Sequence, residues 1–100
     1  MIVNLTPHDV DIVDGPTIPS SGVCRLSVTT ERVGSIDGVP MVRTVYGDVK
    51  GLPDPVDGTV FIVSSLVASR LPDRHDVAVP ADFVRDDSGR ILGCRSLSLN

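Results

Sequence analysis

One hundred residues suffice for a single domain spanning 1–100, but such a chain buries only part of its surface, so oligomerisation is a natural supplement to its core. Its 41% apolar content is carried by Val, Ile and Leu, with only Tyr46, Phe61 and Phe83 as aromatics, a composition that excludes disorder and suits strands. A net charge of −4 excludes a surface that tracks polymeric nucleic acid, yet the cations are eight Arg against the single Lys50, which favours bidentate contacts to a small anion. The alternative is that these Arg residues only solubilise a β surface.

Met1-Ile2-Val3-Asn4-Leu5 reads as a strand ended by Thr6-Pro7, and Val10-Asp11-Ile12-Val13 as a second apolar run closed by the Asp14-Gly15-Pro16 turn. From Val23 to Ile36 the chain is β-favouring, Asp37-Gly38 supplies a tight turn, and Val39 to Val49 returns as the partner of a hairpin. Gly51 to Gly58, with Pro53 and Pro55, is a rigid loop. Thr59 to Val63 is apolar without alternation, the mark of a central strand buried on both faces.

Ser64 to Leu71 takes helical spacing, with Ser as N-cap and Pro72 as the stop. Asp76 to Val79 is a short strand, and Phe83 to Arg85 and Ile91 to Leu99 flank the turn at Asp87-Ser88-Gly89. The expected fold is mainly β: a compact, antiparallel, hairpin-rich sheet with one short helix after a buried central strand. No stretch is long enough to span a bilayer. Cys24 and Cys94 show no metal or redox spacing and no N-terminal apolar run resembles a signal peptide, which predicts a cytoplasmic chain with free thiols.

Ser64 and Ser65 open the helix, where free N–H groups and two hydroxyls suit an anion; the alternative is that Ser64 only caps the helix. Asn4 and Thr6 share a face of the first strand and could meet a base edge, or Thr6 and His8 only organise the turn. Arg70 at the helix end and Arg74 in the following loop could reach a common cleft, with Tyr46, Phe61 or guanidinium planes left to stack a base. The ligand-binding candidates are therefore Asn4, Thr6, His8, Tyr46, Ser64, Ser65, Arg70 and Arg74. There is no Gly-rich phosphate loop, His-Glu-x-x-His or nucleophile elbow, so no catalytic residue is assigned. A zinc site from Cys24, Cys94, His8 and His75 would need four unrelated segments to converge, so no metal or other cofactor is expected.

Val3-Asn4-Leu5-Thr6-Pro7-His8-Asp9-Val10, Val45-Tyr46-Gly47, Gly51-Leu52-Pro53 and Val60 to Ala68 together resemble a group of small phage and bacterial proteins, the phage anti-CBASS sponges of the fourth-named type. That resemblance implies an immune-evasion protein that sequesters cyclic dinucleotides such as 3′,3′-cGAMP without cleaving them, acting as a homo-oligomer of four subunits in the host cytoplasm. It assigns no ligand contacts. The competing functions are a phosphodiesterase using His8 or His75, and a structural or protein-interaction module with no nucleotide ligand.

Overall fold

The computed structural model describes all residues from Met1 to Asn100. Four strands form the main sheet in the order β1 (Ile2–Asn4), β6 (Val60–Ile62), β7 (Val77–Arg85) and β8 (Ile91–Leu99). Two short strands, β2 (Val10–Asp11) and β3 (Thr17–Ile18), pair beside it, and β4 (Arg25–Ile36) with β5 (Val39–Lys50) forms a separate two-stranded hairpin. One helix, α1, covers Ser65–Ser69. The mainly-β, hairpin-rich fold with one short helix is thus the observed one. No helix is long and apolar enough to cross a membrane.

β6 is central, as its unbroken apolar run requires: Phe61 and Ile62 and the following Val63 are buried, the last two with no exposed surface. Its neighbours run parallel on both sides, Val3 opposite Phe61 and Phe61 opposite Val77. Parallel neighbours need a crossover, and the segment from Ser64 to Asp76, containing α1, carries the chain from the carboxyl end of β6 back to the start of β7. The core lies on the two faces of this strand. On one side Leu5, Cys24, Phe61, Val63, Val67, Ala68 and Val77 cluster; on the other, Val10, Ile62 and Cys94. The two free thiols therefore lie in different clusters.

Three local departures from the expected elements have physical causes. The helix ends at Ser69, before the expected Leu71, with Arg70 already outside helical dihedrals and Pro72 unable to continue it. The second apolar run holds a ladder only at Val10 and Asp11, because its partner β3 is itself only two residues long. The expected gap between the Asp76 to Val79 and Phe83 to Arg85 segments is bridged, and β7 continues to Arg85 because β8 pairs along it from Leu99 to Ile91. β6 pairs β7 no further than Ala78, so Pro80 interrupts no ladder on that side.

The β4–β5 hairpin turns at Asp37 and Gly38, whose φ values of 52° and 78° match the positive pair that a two-residue hairpin loop requires. Its base is fastened to the core: Leu26, Val49 and Leu52 pack on the Phe61 cluster, and Gly51 passes so near the Val23 carbonyl that a Cβ there would sit 2.9 Å from the oxygen. From Val28 to Tyr46 every residue of the hairpin is exposed, and Tyr46 at the end of that stretch meets Arg70. The body is compact and the hairpin projects from it as an arm, giving extents of 51 × 40 × 20 Å.

Candidate functional site

The eight candidate residues divide into three neighbourhoods. Asn4 ends β1, and Thr6 and His8 lie in the turn that follows it, beside the end of β6, where Leu5 N–H donates to the Ile62 carbonyl. In parallel sheets this edge commonly carries ligands. Here, however, Asn4 is completely buried and its amide is fully engaged within the chain. Its Nδ2 donates to the His8 carbonyl at 2.8 Å and the Ile18 carbonyl at 2.9 Å, and its Oδ1 accepts from Thr6 N–H at 3.0 Å and Thr6 Oγ1 at 2.7 Å. Asn4 thus knots the Thr6-Pro7-His8 turn to β3, with no valence left for a base edge. Thr6 Oγ1 also lies 2.9 Å from the His8 carbonyl, so the turn-forming alternative accounts for it. The His8 side chain is exposed.

Ser64 and Ser65 stand at the same edge and are both exposed. Ser64 is the N-cap, in extended conformation, and its Oγ accepts from Val67 N–H at 3.3 Å. A helix of five residues sums few peptide dipoles, so its start is a weak anion site by itself. The capping role explains Ser64, and Ser65 keeps a free hydroxyl.

At the other end of α1, Arg70 leaves the helix and lays its guanidinium over the Tyr46 ring, with Cζ 4.1 Å from the ring centroid. About 8 Å of helix axis separates Ser65 from Arg70. Tyr46 and Arg70 are both surface-exposed, so the stack stands at the surface with the guanidinium covering one face of the ring. Nothing in the sequence places residue 46 near residue 70. Their meeting depends on how the arm's base packs against the crossover.

Arg74 does not share this stack. Its Nε and Nη2 grip both oxygens of Asp76 at 2.8 and 2.9 Å, and Nη2 also donates to the Pro53 carbonyl at 2.9 Å. The common cleft expected for Arg70 and Arg74 is therefore replaced by two sets of partners: Tyr46 for one, Asp76 and Pro53 for the other. The hydrogen bonds from Arg74 hold the Asp76 carboxyl below its ordinary value, and the same pairing raises Arg74. Burial pushes the nearby Cys24 thiol up, with the Arg74 charge opposing. His75 turns elsewhere, its Nδ1 lying 3.2 Å from the Asn100 carbonyl.

A shallow groove of about 200 Å³ lies between β2 and the β7–β8 hairpin, lined by residues such as Asp9, Asp11, Phe83 and Leu92. None of the eight candidates lines it. Small-molecule sites typically enclose about 300–1,000 Å³, so this groove is too small to enclose a ligand of dinucleotide size. Compared with protein-family models, curated proteins and solved structures, the chain matches none of them.

Proposed function

We propose that this chain binds a cyclic dinucleotide and sequesters it without cleavage, as a homo-oligomer in which a second subunit supplies the opposite wall of the site. The observation that carries this proposal is the exposed Arg70–Tyr46 stack. An exposed guanidinium plane held flat on a ring offers a nucleotide a phosphate partner and a plane on which a base can stack. Ser65 lies one short helix away with its hydroxyl free. A cyclic dinucleotide has two similar halves, so a site repeated by a two-fold axis meets each half with the same residues. The resemblance to the phage sponges favours the same ligand class, and with it four subunits and a role in hiding the signal from host defence effectors.

The test is saturable binding to a panel of cyclic dinucleotides, followed by denaturation and recovery of the ligand. Intact, stoichiometric ligand supports sequestration. Linear product with turnover supports a phosphodiesterase, and no binding across the panel sinks the proposal. The exposed arm favours one other function, a protein-interaction module with no nucleotide ligand; a nucleotide-dependent rise in melting temperature counts against it.

A further inference from the structure

The surface of this chain is too large for its mass. A compact monomer of 10.6 kDa exposes about 5,500 Å² on the usual scaling, whereas this chain exposes 6843 Å². The excess, about 1,300 Å², is greater than the roughly 800 Å² that one partner contributes to a standard protein interface. The radius of gyration agrees, at 16.6 Å against about 13 Å for a compact domain of this length. The arm is the source of both. An isolated two-stranded hairpin is marginally stable in water, and this one carries Val, Ile and Met on open surfaces with both outer edges unpaired.

The ladder register sorts the arm into two faces. Tyr46, Thr44 and Val42, with their partners Val28, Thr30 and Arg32, lie on the face that meets Arg70. The other face carries Val45, Met41, Val39 and Ile36, exposed by 42, 36, 54 and 62%, with the Glu31–Arg43 pair in its middle. We propose that this second face is a self-association surface on which the arm of a second copy of the chain packs.

Three features select a second copy. The arm is close to neutral, with Arg25, Arg32, Arg43 and Lys50 against Glu31, Asp37 and Asp48, so the acidic excess lies in the body and two arms meet without repulsion. A two-fold axis running along the arm sets the Glu31 of each copy over the Arg43 of the other, pairing unlike charges. The same axis sets each Met41 over the other copy's Gly34, its cross-strand partner, where a Cβ would meet nothing within 4 Å. A flexible apolar side chain thus faces an open position in both directions. Ile36 and Val39 face each other in the same exchange.

This inference rests on the arm and not on the nucleotide proposal, since Tyr46 and Arg70 lie on the opposite face. Its test is the mass of the wild-type protein in solution, by light scattering and sedimentation across a dilution series, alongside the double variant Val39→Glu/Met41→Glu. The expected result is a dimer or a multiple of it in the wild type and a monomer in the variant, with an unchanged far-UV spectrum. A wild type that is monomeric above micromolar concentration, or a folded variant that keeps the wild-type mass, overturns it. If the double variant does not fold, Glu31→Arg is measured in its place: weakened association supports the pairing, and undiminished association overturns it. A self-associating protein that binds no nucleotide would sink the ligand proposal alone.

Discussion

Arg70 and Tyr46, 24 positions apart in the chain, stack at 4.1 Å and join the end of the helix to the base of the arm. An exposed stack of this kind stabilises a fold by only about 0.5–1 kcal/mol. Arg70→Gln is therefore expected to lower the melting temperature little. If the stack is the nucleotide platform, the same change weakens ligand affinity by roughly tenfold or more. Calorimetric titration of Arg70→Gln and Tyr46→Ala checks this, and wild-type affinity in both variants would remove the stack from the site.

Asn4→Ala is expected to be the most damaging single change in the Asn4 to His8 turn. It leaves Thr6 N–H and the His8 and Ile18 carbonyls without their buried partner, at a cost of about 3 kcal/mol. Chemical denaturation measures it. A loss below about 1 kcal/mol would show that the knot is not what secures β3 to the sheet.

Ser64→Ala and Ser65→Ala separate capping from binding. Loss of the Ser64 cap is expected to cost about 1 kcal/mol of stability, because Val67 N–H loses its acceptor. Ser65→Ala should leave stability unchanged and be visible only in ligand titrations.

Much of this architecture was legible in the sequence, and the limits of that legibility are physical. Asp37-Gly38 announces its hairpin because few residues tolerate two successive positive φ values. The apolar run through Val63 announces a doubly covered strand. Parallel pairing of β1 with β6 leaves no such mark, since it depends on a crossover and not on a turn. A strand-end Asn beside Thr, such as Asn4, carries the same groups whether it faces a base or its own turn; only the burial of its side chain tells them apart. Arg74 shares no cleft with Arg70 because Asp76, two residues on, and the Pro53 carbonyl, 21 residues back, take its donors first.

The Arg74–Asp76 pair predicts the acid limb of stability. Asp76 is held below its ordinary carboxyl value by the Arg74 hydrogen bonds, so its contribution is fully present above the unfolded value, about pH 4. It is lost as pH falls through the folded value. Asp86 acts in the same direction, lowered chiefly by the Ser88 hydroxyl and then by the Arg90 N–H. Asp76→Asn should cost about 1 kcal/mol at neutral pH and flatten the decline in melting temperature below pH 4. An unchanged acid profile would show that the pair contributes nothing to folding.

Cys24 should resist alkylation in the folded protein, because burial both screens the sulfur and pushes its thiol up, away from the reactive thiolate. Iodoacetamide labelling with and without denaturant, read by mass spectrometry, checks this. Rapid native labelling at Cys24 would mean that the arm's base opens readily.

The most direct test of the central claim is equilibrium binding of 3′,3′-cGAMP to the purified wild-type protein, with the bound ligand released by denaturation and analysed. Saturable binding is expected, with a rise in melting temperature with ligand concentration, recovery of the intact cyclic molecule, and weakening by Arg70→Gln. An unshifted melting temperature and no binding across the related cyclic dinucleotides would contradict it.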